Sequence, residues 1–305
     1  MALRLATGPV SWGVDFADDP HNPPWPEVLD GIARTGLGLT ELGPLGYLPR
    51  DAATLKPELA RRGLGVAGSF VFQPFEDPAR RASALDVTCA TCELIAGVGG
   101  THVVLIQAVT PERAATAGDP ARAERLSREG SEALVEGLHA AATIAAEDYG
   151  LRPVLHNHVG SALEFDDELD AVLEALPGPV LGLCLDSGHA EYADIDLAAL
   201  LDRWGERVDY LHLKDVRADV RDRSVRERTG FWAAIAAGVF CPLGEGAVDF
   251  ELLLGRLEAI GFDGPVTIEQ DRRPGVSSTP EQDVAASVSY LETVTAVSSG
   301  GQGGP

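Results

Sequence analysis

The sequence is poor in the residues that build disulfide frameworks and zinc knuckles. Four cysteines and one methionine occur among 305 residues. Cys89 and Cys92 form a lone CxxC inside a predicted helix, whereas Cys184 and Cys241 stand apart. A structural zinc site would need two such pairs or nearby histidines. We therefore interpret the four cysteines as buried thiols of a protein in a reducing compartment.

Basic residues are also scarce, since 24 of them face 47 acidic ones and the formal net charge is −23. Such a charge disfavours binding to nucleic acid or to an anionic membrane surface. No apolar run reaches the roughly 18 residues of a membrane span, and the N-terminus MALRLATGPVSWG lacks the apolar core of a signal peptide. We expect a cytoplasmic protein whose partner is a small molecule, and leave open whether it forms a homo-oligomer.

No G-x-G-x-x-G follows the first predicted strand, and no Walker-type loop occurs, so dinucleotide and phosphate sites are disfavoured. What the sequence does contain is a regular alternation of short β-rich runs with amphipathic segments. The predicted strands are Pro9–Val14, Leu39–Leu42, Gly65–Phe72, His102–Gln107, Pro153–His158, Leu181–Asp186, Val208–Leu213 and Pro265–Gln270. The predicted helices between and after them include Trp25–Thr35, Arg122–Asp148, Leu197–Trp204, Ser224–Ala237, Phe250–Ala259 and Pro280–Val294.

Eight β/α units in this length fit an α/β fold with a single (β/α)₈ TIM barrel better than an open sheet. The barrel is predicted to span residues 1–297 as one catalytic domain. The remaining Ser298–Pro305, SSGGQGGP, is too rich in Gly and Ser to form a core, so a flexible tail is predicted there.

A TIM barrel carries its chemistry at the C-terminal ends of its strands. Four consecutive predicted strands end there with His or a carboxylate, in segments that hold four of the seven histidines. Asp186, His212 and Glu269, with His156 as the fourth, would form a mixed nitrogen and oxygen site. Such ligands suit a divalent ion of the Mn, Co, Fe, Mg or Zn range.

Further polar groups share the same predicted rim. His158 lies on the same strand face as His156, and Lys214 on the same face as His212, because side chains alternate along a strand. With His189 and Arg217 they could handle substrate oxygens or protons. The alternative for Lys214 and Arg217 is an ordinary salt-bridge network at the rim.

Aromatic residues offer a candidate wall for a sugar-like ligand. These are Trp12, Trp25, Phe70 and Phe72, for which packing in the core is an equally good interpretation.

Several segments together resemble the sugar isomerase/epimerase superfamily, and within it the inosose dehydratases. They are Thr40-Glu41-Leu42-Gly43-Pro44, His156-Asn157-His158-Val159-Gly160, Asp186-Ser187-Gly188-His189, His212-Leu213-Lys214-Asp215-Val216-Arg217, Phe240–Phe250 and Ile268-Glu269-Gln270-Asp271. The resemblance implies a xylose isomerase-like TIM barrel. It also implies a divalent ion, with Mn²⁺ or Co²⁺ favoured and Mg²⁺, Fe²⁺ or Zn²⁺ as alternatives, held by His156, Asp186, His212 and Glu269.

The resemblance further implies a hydro-lyase that removes water from a keto-inositol, 2-keto-myo-inositol, in myo-inositol catabolism. The expected catalytic residues are His158, His189, Lys214 and Glu269, and the expected substrate contacts are Glu41, Trp12, Phe72 and Arg217. In the isomerase branch a Glu usually stands where this chain has His156. The alternatives are a metal-dependent isomerase or epimerase of a ketose, and a barrel that binds a sugar without turnover.

Overall fold

Eight parallel strands close into a barrel in the computed structural model, which describes residues 3–272 and 278–300. The strands are β1 (Arg4–Thr7), β2 (Leu39–Glu41), β3 (Gly65–Gln73), β4 (His102–Gln107), β5 (Arg152–His156), β6 (Gly182–Asp186), β7 (Val208–Leu213) and β10 (Pro265–Ile268). Around the barrel they follow the order β1-β10-β7-β6-β5-β4-β3-β2. Two short strands of two residues each, β8 (Asp215–Val216) and β9 (Phe240–Cys241), form a small antiparallel ribbon. The predicted eight-stranded barrel is thus confirmed.

Twelve α-helices surround and connect the strands in the described part of the chain. They are α1 (Trp25–Arg34), α2 (Ala52–Ala60), α3 (Arg81–Val98), α4 (Pro111–Ala115), α5 (Arg128–Thr143), α6 (Asp166–Ala175), α7 (Ser187–Tyr192), α8 (Leu197–Trp204), α9 (Ala218–Glu227), α10 (Phe231–Ala236), α11 (Phe250–Ala259) and α12 (Pro280–Gly300). None of the helices in the described residues is long and apolar enough to cross a membrane.

Helix starts follow from local capping. Asp51, Ser127, Asp196 and Asp249 each accept a hydrogen bond from the backbone N–H three residues on, at 2.9–3.1 Å. Each cap satisfies an amide that the first helical turn leaves without a partner.

Three apolar clusters lie in the described part of the chain. The largest packs the strands against the helices, a second contains Tyr192 and Phe231, and a third contains Val104 and Tyr210. All four cysteines are free thiols, and Cys92, Cys184 and Cys241 are buried. The prediction of four buried thiols is therefore confirmed for these three and wrong for Cys89, which is only partly buried.

The predicted first strand, Pro9–Val14, is wrong. The strand forms earlier, at Arg4–Thr7, and Pro9–Trp12 is a 3-10 helix. Proline fixes φ near the helical value and has no N–H, which suits the first turn of a helix. Gly13 then ends the turn with φ of 81°.

The predicted helix Ser224–Ala237 is likewise wrong as a single element. Arg228 and Gly230 adopt positive φ values of 59° and 82°, which separate α9 from α10. Near the C-terminus, α12 continues to Gly300, three residues into the predicted tail, and residues 301–305 lie outside the described part.

Close packing of α5 against the chain after β3 gives a stability prediction. A Cβ on the buried Gly137 would lie 2.3 Å from the backbone oxygen of Phe75, whereas a Cβ on the exposed Gly255 of α11 would meet nothing within 4 Å. Gly137→Ala should lower the free energy of unfolding by about 1–3 kcal/mol through overpacking. Gly255→Ala should raise it by about 0.5–1 kcal/mol through helix propensity. Urea unfolding of both variants checks the pair, and equal effects of one sign would contradict this account of the packing.

Candidate metal centre and active site

The C-terminal ends of β5, β6, β7 and β10 bring four potential metal ligands to one mouth of the barrel. His156 ends β5, Asp186 ends β6, His212 lies one residue before the end of β7, and Glu269 follows β10 directly. Their exposed fractions are 1%, 0%, 1% and 7%, so all four are buried. The closed parallel barrel therefore delivers the predicted ligands to a single place.

The potential ligand atoms form two overlapping groups. Asp186, His212 and Glu269 offer atoms within 4.8 Å of one another, and His156, Asp186 and His189 form a second such group. His212 Nδ1 lies 2.8 Å from Glu269 Oε2 and 3.7 Å from Asp186 Oδ2. His156 Nε2 lies 3.3 Å from the same Asp186 oxygen, which joins the two groups.

The side chains of these four residues carry buried atoms that lack a hydrogen bond of good geometry among the described residues. The atoms are His156 Nδ1, Asp186 Oδ2, His212 Nδ1 and Glu269 Oε2. Of these atoms, Asp186 Oδ2, His212 Nδ1 and Glu269 Oε2 lie together, whereas His156 faces Asp186 with Nε2. Buried polar atoms without partners are costly and rare, so the three that lie together call for a ligand. Two imidazoles and two carboxylates suit a divalent transition ion, and their two negative charges would neutralise it. The donor set fits the predicted metal.

Lys214 adds a buried ammonium to the same cluster. Its Nζ lies 2.8 Å from Asp271 Oδ2, 3.5 Å from Asp186 Oδ2 and 3.7 Å from Glu269 Oε2, and the residue is 1% exposed. Burial opposes charge on the lysine, but these carboxylates raise its pKa. Burial likewise opposes charge on Asp186 and Glu269. Lys214 nevertheless holds the pKa of Asp186 well below its usual value and that of Glu269 at about 2.

A second pair of histidines is oriented by the backbone of Val159. His158 Nδ1 lies 2.8 Å from the Val159 carbonyl oxygen, which can only accept, so His158 donates from Nδ1. The Val159 N–H donates to His189 Nδ1 over 3.2 Å, so that nitrogen carries no proton. The neutral rings therefore hold opposite tautomers, with a free lone pair on His158 Nε2 and a proton on His189 Nε2. Their ring centroids are 4.0 Å apart.

Both rings are held neutral by their surroundings. Burial lowers the pKa of His158 to about 3, with further contributions from the nearby His156 and Lys214. Burial, His158 and Lys214 lower the pKa of His189 well below its usual value. Lys214 Nζ also lies 3.3 Å from His189 Nε2. Because that nitrogen carries a proton, it cannot accept a hydrogen bond from Lys214, and the three hydrogens of the ammonium are better directed to the three carboxylates. The site thus offers one proton acceptor beside one proton donor.

Aromatic side chains wall the pocket above the polar cluster. The space and its open mouth contain about 560 Å³, and Phe70, Phe72, Phe231, Trp232 and Phe16 line it with the four histidines. Phe16 lies 6.3 Å from both Phe72 and Trp232, measured between ring centroids, and is 42% exposed. Sequence reasoning missed Phe16, Phe231 and Trp232. They stand in loops and a short helix where no strand periodicity points to the pocket.

The predicted substrate contacts divide in two. Phe72 lines the pocket, but Trp12, Glu41 and Arg217 are not among its lining residues. Trp12 packs against the core beside Gly31 of α1, since the chain there forms a 3-10 helix instead of the predicted strand. The Arg217 guanidinium lies 2.9 Å from Glu245 at the surface, which matches the alternative of a rim salt bridge.

Lys214 was also a candidate for an ordinary rim salt bridge, and the structure contradicts that alternative. Its neighbour Asp215 accepts hydrogen bonds from the backbone N–H groups of Gly244, Gly246 and Val248 at 2.9–3.1 Å. Lys214 pairs instead with Asp271, which lies three residues after β10 and was not selected by sequence reasoning.

Hydrogen bonds between neighbouring strand ends fix the ligands in place. The Asn157 amide bonds both backbone groups of Asp186, as acceptor from its N–H (2.9 Å) and donor to its carbonyl (3.1 Å). The Ser187 hydroxyl likewise accepts from the Lys214 N–H (3.0 Å) and donates to the Lys214 carbonyl (2.8 Å). Asp186 Oδ1 accepts from the His189 N–H at 2.8 Å and so leaves only Oδ2 for the pocket.

Comparison with known proteins agrees with this barrel. The sequence model described as xylose isomerase-like TIM barrel matches residues 29–294. The chain belongs to that family. It is 31% identical over 289 residues to an inosose dehydratase of Geobacillus kaustophilus (strain HTA426), covering 90% of this chain and 89% of that protein. The expected family is thereby confirmed, and with it that the chain is an enzyme.

Solved structures extend the comparison of the fold. The IOLI protein with a bound zinc atom matches with a TM-score of 0.71 and 17% identity, over 95% of this chain and 97% of that one. D-allulose 3-epimerase from Methylomonas sp., in complex with D-allulose, matches with a TM-score of 0.70 and 19% identity, over 95% and 96%. At these identities the likeness concerns the fold.

Replacing Asp186 should test the ligand cluster. Asp186→Asn keeps an oxygen for the His189 amide but loses the negative charge that faces the pocket. The affinity for Zn²⁺ or Mn²⁺ should therefore fall by more than about 100-fold, which exceeds the loss expected for a residue that only hydrogen-bonds a metal ligand. Metal content after dialysis is the measurement. Glu164→Gln is a matched control, because Glu164 is a buried carboxylate (1% exposed) outside both groups. An Asp186→Asn protein with full metal content would remove Asp186 from the ligand set.

Proposed function

We propose that the chain is a metal-dependent dehydratase of a keto-inositol, 2-keto-myo-inositol, in myo-inositol catabolism. The reaction passes through an enediolate and loses the β-hydroxyl as water. The similarity to an inosose dehydratase over most of both chains supports this substrate class. A concave pocket at the barrel mouth, lined by aromatic side chains and a few converging polar groups, is also typical of small-molecule sites.

The observation that carries the proposal is the pair of oppositely protonated imidazoles. Dehydration needs an acceptor for the hydrogen next to the ketone and a donor for the departing hydroxyl. His158 Nε2 is free to accept and His189 Nε2 carries a proton to donate, because each Nδ1 is engaged by Val159. Since the ring centroids lie only 4.0 Å apart, both rings would act on the same face of the substrate ring.

The remaining polar groups have matching roles. A divalent ion at His156, Asp186, His212 and Glu269 would supply the Lewis acidity that acidifies the hydrogen beside the ketone. The Lys214 ammonium would stabilise negative charge on a substrate oxygen at the pocket floor. Glu269 is assigned as a ligand only, since its Oε2 lies among the other ligand atoms. The aromatic walls would pack on the C–H face of the polyol and exclude water.

The isomerase or epimerase alternative rests on the fold likeness to the D-allulose 3-epimerase. Two-sided proton transfer needs an acid/base group on each side of the substrate. This chain has a ligand imidazole, His156, where such a second carboxylate would stand, and its acceptor and donor lie side by side. These features favour dehydration.

Product analysis with 2-keto-myo-inositol in D₂O tests the proposal. The wild-type enzyme should release a product lacking one water, with the absorbance of an enolised dione. His158→Gln should slow both hydrogen exchange beside the ketone and water loss, because both begin with proton abstraction. His189→Gln should keep the exchange but slow water loss by about 10²–10⁴-fold. His139→Gln, on the exposed face of α5, is the control.

Other outcomes identify the alternatives. A product of unchanged mass would give the function to an isomerase or epimerase. Binding of the keto-inositol without any product, in the presence of metal, would indicate a sugar-binding barrel. Full activity after thorough metal removal would contradict the metal dependence.

A further inference from the structure

A buried carboxylate lies inside the barrel below the pocket. Glu41, the last residue of β2, is 2% exposed, and its Oε1 accepts three hydrogen bonds. The donors are His212 Nε2 at 2.9 Å, the Tyr210 hydroxyl at 2.7 Å and the Thr267 hydroxyl at 2.9 Å. Because Glu41 does not line the pocket, it is poorly placed for the substrate contact that the sequence predicted.

The contact with Glu41 determines which nitrogen of His212 is available to a metal ion. A carboxylate oxygen can only accept, so His212 Nε2 must carry a proton. The neutral ring then has its lone pair on Nδ1. That nitrogen lies 2.8 Å from Glu269 Oε2 and 3.7 Å from Asp186 Oδ2, in the group of potential ligands.

The surrounding structure prevents Glu41 from turning away. Tyr210 and Thr267 come from β7 and β10, on the far side of β1 from β2, and their hydroxyls also lie 3.1 Å from each other. A Cβ at Gly8 would lie 3.0 Å from Glu41 Cβ, so the absence of a side chain there admits the carboxylate. The acceptor is thus held rigidly under the imidazole.

We propose that Glu41 is a positioning residue of the metal centre, which selects the tautomer and the ring orientation of His212. Carboxylates behind metal-bound imidazoles fix the tautomer and raise the basicity of the ligand nitrogen. The inference rests on the proposed function only in requiring that a divalent ion is bound. It places Glu41 in metal binding and out of substrate contact.

Zinc affinity of the metal-free protein, measured by titration against a competing chelator, tests the role without any substrate. Glu41→Ala leaves the His212 N–H without its acceptor, so affinity should fall by about 10–100-fold. Glu41→Gln retains an accepting oxygen and should restore part of the affinity. Glu164→Ala removes another buried carboxylate, bonded to the N–H groups of Gly118 and Gly160, and should leave the zinc affinity unchanged.

A ¹⁵N NMR measurement on the zinc-loaded wild-type protein adds a test that needs no variant. The His212 ring should show a protonated Nε2 and a metal-bound Nδ1, and the reverse assignment would overturn the inference even if Glu41→Ala fails to fold. Zinc binding by Glu41→Ala as tight as that of the wild type would also overturn it, with the proposed function intact. A wild-type protein that binds no divalent ion would overturn both.

Discussion

A single buried ammonium controls the charge state of the barrel mouth. Lys214 Nζ lies 2.8–3.7 Å from oxygens of Asp271, Asp186 and Glu269. Buried charges are costly unless they are paired with good geometry. The lysine keeps Asp186 and Glu269 ionised in spite of burial, and it disfavours protonation of His158 and His189. Deprotonated carboxylates are the forms that bind a metal ion, and neutral rings at His158 and His189 are the forms that proton transfer needs.

Backbone hydrogen bonds determine which nitrogen of each neutral imidazole carries its proton. Val159 presents a carbonyl to one imidazole and an N–H to the next, so that two chemically identical rings differ in which nitrogen is protonated. The Glu41 carboxylate acts in the same way on His212. The groups around the histidines therefore determine which ring nitrogens carry a proton.

Much of the fold could be predicted from sequence, because strand length and helical spacers repeat regularly. The strands His102–Gln107 and Val208–Leu213 were predicted with the bounds that the structure gives. Strand ends also pointed to His156, Asp186, His212 and Glu269, since a barrel gathers them at one mouth. The first strand was misplaced because Pro9 starts a 3-10 turn inside an otherwise β-rich run.

Other parts of the site depend on distances that sequence patterns do not encode. Asp271 follows Glu269 by two residues, but only the folded chain shows that it pairs with Lys214. Phe16 and Trp232 meet across the pocket from segments more than 200 residues apart. Arg217 shares a motif with His212 and Lys214, yet its long side chain turns to Glu245 at the surface.

The two overlapping ligand groups make one measurement decisive. A crystal structure of the zinc-loaded protein, with the ion located by anomalous scattering, shows directly which side chains bind. We expect one ion about 2.0–2.3 Å from ligand atoms of His156, Asp186, His212 and Glu269. An ion held by His189 with His212 and Glu269 uninvolved, or no ion at saturating zinc, would contradict it.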